Sequence, residues 1–407
     1  MNLIPELRFP EFTGKDGWKN SKLLDVLFEH KETSDGSEEV YSVSVHKGIV
    51  NQIEHLGRRF AASSTDNYKR VLPGDVVYTK SPTGDFPFGI IKQNKSDKPV
   101  IVSPLYGVFT PETKWLGLII DAYFESPQRT YNYLESIVQK GAKNTINIRN
   151  DVFLSKHLVL PRDREEQQKI ASCLSTLDNL ITAHNDKLDA LKDHKKGLLQ
   201  NLFPQEGETV PKVRFPEFEG DGEWIETTLE QVADYENGKA HEKDIDENGD
   251  FIVANSKFIS TEGETVKYTA TAYCPANLGD ILMVLSDVPN GKAIAKCFFV
   301  DEENRYSVNQ RICRITATDC DSRFLFYIMD KNAYFLSFDD GVKQTNLRKS
   351  DVLEFPFRIP TNPVEQTKIA SCLSAVDELI TAQQEKIEQL QQHKKGLMQG
   401  LFPKIES

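Results

Sequence analysis

A 36-residue segment occurs twice in this chain. Residues 169–204 read KIASCLSTLDNLITAHNDKLDALKDHKKGLLQNLFP, and residues 368–403 read KIASCLSAVDELITAQQEKIEQLQQHKKGLMQGLFP, with 23 identities at an offset of 199. Unrelated segments of ordinary composition would share about two or three. A shorter pair repeats as well, PELRFPEF at 5–12 and PKVRFPEF at 211–218, and a tryptophan follows each, Trp18 and Trp224. The order is short motif, variable region, long segment, then the same again. A chain built this way folds as two related halves and not around one continuous core.

Apolar residues in the first long segment fall at alternating spacings of four and three: Ile170, Leu174, Leu177, Ile181, Leu188, Leu191, Leu198 and Leu202. The second copy has Ile369, Leu373, Val376, Ile380, Ile387, Leu390, Leu397 and Leu401. This is a coiled-coil seam sustained over about five heptads. His184 and Lys195 fill the gaps in the first seam, Gln383 and Lys394 those in the second, and polar residues at such places set register. Pro161 and Pro363 precede the segments, while Pro204 and Pro403 stop them. A helix of about 40 residues spans roughly 60 Å. Two such helices predict an antiparallel pair with pseudo-twofold symmetry that holds two domains apart. The alternative is that each is a long core helix of its own domain. So narrow a stripe covers a globular core poorly, and near-identity suits a pseudo-symmetric interface. The His-Lys-Lys triplets at 194–196 and 393–395 lie near the helix ends, where cations complement the dipole. Cys173 and Cys372 occupy equivalent places and are expected to be small packing residues.

The regions between, 19–160 and 225–359, scarcely resemble each other. Both contain Gly-Asp before an apolar run, Gly74-Asp75-Val76-Val77 and Gly279-Asp280-Ile281-Leu282. Both end alike, Gly141-Ala142-Lys143-Asn144-Thr145 against Gly341-Val342-Lys343-Gln344-Thr345, with Arg149 and Arg348 following. Common ends with divergent middles predict one scaffold presenting two recognition surfaces. Short apolar runs alternate with turns, so each region reads as a mixed, strand-rich domain with a few helices. Residues 128–139 and 322–334 are expected helices. Residues 251–254, 281–285, 293–300 and 312–316 are expected strands, with a turn at 287–292.

The 407 residues include 39% hydrophobic side chains, enough for two or three packed domains, and no apolar run is long enough to cross a bilayer. The amino-terminal residues lack the basic start and apolar stretch of a signal peptide, and no pair of the six cysteines forms a CxxC, which predicts a reduced, cytoplasmic protein. Net charge is −12, which weighs against a polyanionic partner. The average hides a split: residues 19–160 carry +2 and residues 225–359 carry −8. Contact with a polyanion would therefore use local patches. Loop residues suited to base edges or phosphates are Lys80, Ser81, Thr83, Lys143, Asn144, Thr145 and Arg149 in the first region. In the second they are Asn290, Lys292, Lys343, Gln344, Thr345, Asn346 and Arg348.

Motifs for catalysis are missing. There is no Pro-Pro pair of the kind that grips a target amine, no GxxxxGK(S/T) loop and no dinucleotide fingerprint. No His, Cys or Asp cluster has metal-ligand spacing, and no histidine forms an arguable triad. The expectation is a chain with no catalytic, cofactor or metal site of its own.

The pattern resembles the specificity subunit of type I restriction-modification enzymes. The residues that carry the resemblance are Arg8-Phe9-Pro10 and Arg214-Phe215-Pro216, then Glu166-Gln167-Gln168-Lys169-Ile170 and Glu365-Gln366-Thr367-Lys368-Ile369. Ser103-Pro104-Leu105-Tyr106 and Val308-Asn309-Gln310-Arg311 also look like family segments. The likeness spans essentially the whole chain. It implies an α+β protein with two mixed α/β target recognition domains, each followed by a long helix: 1–160 and 161–204, a linker at 205–224, then 225–360 and 361–407. It further implies a non-catalytic subunit that binds double-stranded DNA, each domain reading one half of a split, asymmetric target. The helix pair would set the spacer and dock two modification subunits carrying S-adenosylmethionine. Restriction subunits would add ATP- and Mg-dependent translocation and cleavage. The competing reading is a coiled-coil adaptor joining two protein-binding domains; a stand-alone nuclease or methyltransferase is a third.

Overall fold

A computed structural model describes residues 3–56, 65–140, 146–241, 243–288, 293–341 and 343–403. The chain divides into two compact units, Met1–Asn185 with Glu385–Ser407, and Asp186–Gln384. Each long helix is 39 residues, Arg164–Leu202 and Pro363–Leu401, and each contributes one part to either unit. The sequence order of domain then helix is therefore not the order of packing.

In the first unit the main sheet is four-stranded and antiparallel, in the order Leu27–Glu29, Gly107–Pro111, Val76–Tyr78, Ile91–Gln93. Val76, Val77 and Tyr78 are all buried, as a strand covered on both faces requires. The helix Lys114–Phe124 packs on this sheet; Thr113 caps it by accepting from the Leu116 amide at 3.0 Å. Smaller ladders join Lys69–Val71 to Val100–Val102 and Tyr41–Ser44 to Gly48–Asn51. The expected helix over 128–139 is Pro127–Leu134, with one 3-10 turn at Glu135–Ile137 and a short strand, Gln139–Lys140, after it.

The second unit repeats the sheet order with Ala233–Asn237, Ile312–Ala317, Ile281–Val284 and Cys297–Phe299. In both units the four strands run first, fourth, second, third in chain order. A second sheet holds Phe251–Ala254 parallel to Tyr306–Val308. The expected strand 293–300 is shorter because Ala295 takes a positive φ of 56°. The expected helix 322–334 is two, Ser322–Met329 and Ala333–Leu336. The break has a cause: Lys331 sits at φ 52°, the Asp330 carboxylate accepts the Cys297 amide at 2.9 Å, and Asn332 caps the second piece.

The twin Gly-Asp motifs make the same turn. Gly74 and Gly279 have φ of 90° and 88°, where a side chain would be strained. Asp75 accepts from the Leu72 amide (2.7 Å), the Thr110 hydroxyl (2.8 Å) and His30 Nε2 (2.9 Å). Asp280 accepts from the Asn277 amide (2.8 Å) and the Thr316 hydroxyl (2.6 Å), with Arg314 in place of the histidine at 3.8 Å.

The short repeated motif is a lock on the helix start. Arg8 donates to both oxygens of Glu166, at 2.7 and 2.9 Å, with side-chain exposures of only 4% and 1%. Arg214 does the same to Glu365 at 2.8 and 2.7 Å. Such a buried forked pair is costly to break on one side, because the survivor keeps an uncompensated charge. The next residue, Gln167 or Gln366, donates to the carbonyl of Pro161 or Pro360. Glu11 and Glu217 pair with Lys169 and Lys368 at 2.9 and 3.0 Å.

Within each unit the two helix parts run antiparallel. In the first, Ile170 and Leu174 share a core with Met398, Leu401 and Phe402, and Lys394 reaches Asp178 at 2.6 Å. In the second, Leu202 shares a core with Ile369 and Leu373, and Lys195 reaches Asp377 at 2.6 Å. No seam residue is exposed. Lys195 and Lys394, the two lysines in the seam gaps, thus bridge across the pair. The helix ends also complete the domain cores, so the pair and the core helix are one structure.

Candidate nucleic-acid interface

In the second unit the strand Ser286–Asp287 pairs antiparallel with Thr345–Asn346. That pairing places the Gln344 amide against the Ser286 hydroxyl at 2.8 Å and near the Asn346 side-chain oxygen at 3.3 Å. An open cavity of 370 Å³ lies here, lined by Ser286, Gln310, Arg311, Gln344 and Asn346. Gln310, Arg311, Gln344 and Asn346 are exposed. Their amide and guanidinium groups are the types that match base edges. Lys343 and Arg348 are exposed beside this strand pair. Arg348 caps the helix Lys349–Leu353, its own amide donating to Asp351 at 2.7 Å. Thr345 differs from its neighbours: it is buried, and its hydroxyl donates to Asp339 at 2.8 Å, which makes it a structural residue. Asn290 and Lys292 lie outside the described residues.

In the first unit Lys80 is half-buried in the left-handed region at φ 60°, and Gly89 is there because a Cβ would stand 2.7 Å from the Lys80 amide nitrogen. Burial, together with the nearby Lys69 cation, lowers the Lys80 pKa. Ser81 and Thr83 are exposed in the following turn; the Thr83 hydroxyl donates to the Ser81 carbonyl at 3.3 Å. Arg149 is exposed and forked onto Asp151 at 3.0 and 2.7 Å, so its charge is offset locally. Lys143, Asn144 and Thr145 lie outside the described residues. A larger cavity of 610 Å³ adjoins the first long helix, but Lys95 on its wall is engaged by Asp121 and Asp178 at 3.5 and 3.3 Å.

Sequence reasoning missed three residues of these faces. Lys69 donates to the Tyr106 carbonyl at 2.6 Å, and Gln310 and Arg311 line the cavity together with Gln344. A signal existed, since the turns holding Tyr106 and Arg311 are among the family-like segments. Their nearness to the other loops is set by strand pairing far along the chain.

Residues 73–193 and 221–392 match the model of the type I restriction modification DNA specificity domain. The chain belongs to this family. It is a type I restriction-modification specificity subunit, as the repeated architecture implied. It is 27% identical over 287 residues to the type I restriction enzyme MjaVIII specificity subunit of Methanocaldococcus jannaschii, covering 66% of this chain and 67% of that one. It is 27% identical over 262 residues to the putative MjaX specificity subunit of the same organism, covering 61% and 59%. In fold it matches the S subunit of a type I restriction-modification system from M. genitalium, with a TM-score of 0.64, 12% identity, and 99% and 100% of the two chains covered. A second solved structure, from work on complex assembly and conformational transition of the type I system, matches with a TM-score of 0.53 and 17% identity over 95% and 98%. Among the described residues of the specificity subunit, no helix is long and apolar enough to cross a membrane, and no group of three or more His, Cys, Asp or Glu could hold a metal ion.

Proposed function

We propose that this specificity subunit reads a bipartite, asymmetric sequence in double-stranded DNA, one half-site through each domain. The observation that carries the reading is one sheet order built twice with unlike residues on its loops. A common scaffold holds the two reading faces in equivalent frames, and unlike loops give unlike half-sites. The candidates among the described residues are the half-buried Lys80 and the exposed Ser81, Thr83, Arg149, Lys343, Gln344, Asn346 and Arg348, with Lys143, Asn144, Thr145, Asn290 and Lys292 proposed from the sequence. Thr345 serves the second face by fixing its strand.

The long helices set the spacer and dock two modification subunits. Leu180 and Leu379 support two equivalent docking places: they are 42% and 55% exposed at matching positions of the repeated helices. The modification subunits supply S-adenosylmethionine and methylate adenine after base flipping, and restriction subunits supply ATP- and Mg-driven cleavage. The chain itself is non-catalytic and works in the cytoplasm with its DNA.

The test is a domain exchange. Replacing residues 19–160 with the corresponding region of another family member should change one half-site and leave the other. The assembled modification complex is scored by genome-wide methylation mapping; retention of both half-sites overturns the proposal.

A further inference from the structure

One turn occupies the same place in both domains and carries opposite chemistry. It links the strand that precedes the inner strand of the main sheet to that inner strand. In the first domain it runs from Val100–Val102 to Gly107–Pro111 through Ser103-Pro104-Leu105-Tyr106. In the second it runs from Tyr306–Val308 to Ile312–Ala317 through Asn309-Gln310-Arg311.

Leu105 is 76% exposed, more than any other large hydrophobic side chain among the described residues. It does not sit on a loose loop. The Tyr106 amide donates to the Ser103 carbonyl at 3.1 Å, and the Leu105 amide approaches the Ser103 hydroxyl at 3.3 Å. Lys69 Nζ fastens the Tyr106 carbonyl at 2.6 Å. Lys80 follows two residues after Tyr78, which pairs with Gly107 at the end of the turn, so a second cation lies close by. A leucine fixed in solvent beside lysines fits a base edge with a methyl group, while the cations hold the phosphates around it. In the second domain the turn offers no apolar tip. Arg311 and Gln310 face the 370 Å³ cavity with Gln344 and Asn346.

On the reading of this chain as a DNA specificity subunit, we infer that this turn is a base-reading element of both domains. Leu105 packs on a thymine methyl in the first half-site, and Arg311, with Gln310 beside it, hydrogen-bonds the O6 and N7 of a guanine in the second. The two half-sites are thus read by unlike forces from one structural position.

The full chain is co-expressed with its modification subunit, and methylated motifs are read genome-wide for wild type, L105A, L105S and R311A. Both side chains are exposed, so unchanged thermal melting is the folding control. With L105A and L105S, discrimination at one T·A pair of the first half-site should fall by roughly ten- to a hundredfold. The second half-site should be unchanged. R311A should do the reverse at one G·C pair. If methylation falls below detection, competition binding of the assembled complex to single-substitution duplexes gives the same reading. Motifs unchanged in all variants, or binding weakened equally on every sequence, mark these residues as phosphate contacts or bystanders and overturn the inference. A wild-type complex that methylates no split motif overturns the proposed function itself.

Discussion

The two domains reach one topology from sequences that share little beyond their ends, and the places where they differ separate scaffold from reading surface. Both put Gly-Asp at the same turn, both run the same four strands in the same order, and both lock a helix start with a forked arginine. The partner of the turn aspartate differs: His30 in the first domain, Arg314 in the second. The reading turn differs more, with Leu105 against Gln310 and Arg311. Burial enforces the first set of features, because an unpaired buried carboxylate or arginine is heavily penalised. The side chains of Leu105, Gln310 and Arg311 are exposed, so packing does not fix their identity, and on the proposed function they are the ones left to respond to the DNA.

The strongest way to break this equivalence is at the locks. R8A and R214A each strand a buried carboxylate, and each should cost about 3–5 kcal/mol in denaturant unfolding of the full chain. Losses that differ by more than twofold between the two would show that the motifs do unequal structural work. Next are the seam leucines that also sit in the domain cores. L174A and L373A remove fully buried side chains, 1% and 0% exposed, and should cost about 2–5 kcal/mol each by the same measurement.

The aspartate partners give a smaller effect with a sign. Asp75 raises the folded-state pKa of His30 above its ordinary value of about 6.5. The stabilisation is therefore complete below that value and is lost as pH rises through the raised one. Solvent screening keeps it near 1 kcal/mol. Wild type should melt higher than H30Q at pH 5.5, and the gap should close in alkaline buffer. R314Q removes the contact to Asp280 together with the bridge to Glu236 at 2.5 Å and the hydrogen bond to the Pro275 carbonyl, so it should lower melting at both pH values. A gap between wild type and H30Q that widens with pH would reverse the assignment.

The smallest effect is at the bridges across the helices. Lys394 faces both Glu125 and Asp178, at 2.7 and 2.6 Å, while among the described carboxylates Lys195 bridges Asp377, at 2.6 Å, and stands over the Tyr327 ring. K394M should cost up to about 1 kcal/mol and K195M less, since such half-exposed pairs are weak. Equal costs in thermal melting would mean that the second carboxylate adds nothing.

Much of this was legible along the chain. The seam from Ile170 to Leu202 and its copy declared two long helices, because a coiled-coil stripe is a local, periodic signal. Expected strands 251–254 and 312–316 match the observed Phe251–Ala254 and Ile312–Ala317 closely, for the same reason. The break near Asp330 was not legible, since its cause is a hydrogen bond to Cys297, distant in sequence. Nor was the nearness of Gln344 to Arg311, or the different fates of Thr345 and Asn346 on one strand.

By itself the sequence determined that there are two like halves, a pair of rod-like helices and a Gly-Asp before an apolar run in each domain, because repetition and periodicity are properties of order along a chain. Tertiary structure alone decided that each unit borrows helix from both repeats, that the short Arg motif clamps a distant glutamate, and that Leu105 and Arg311 share a structural position. Those facts depend on which surfaces meet in space, and residues far apart in sequence meet only when burial of the cores brings their strands into register.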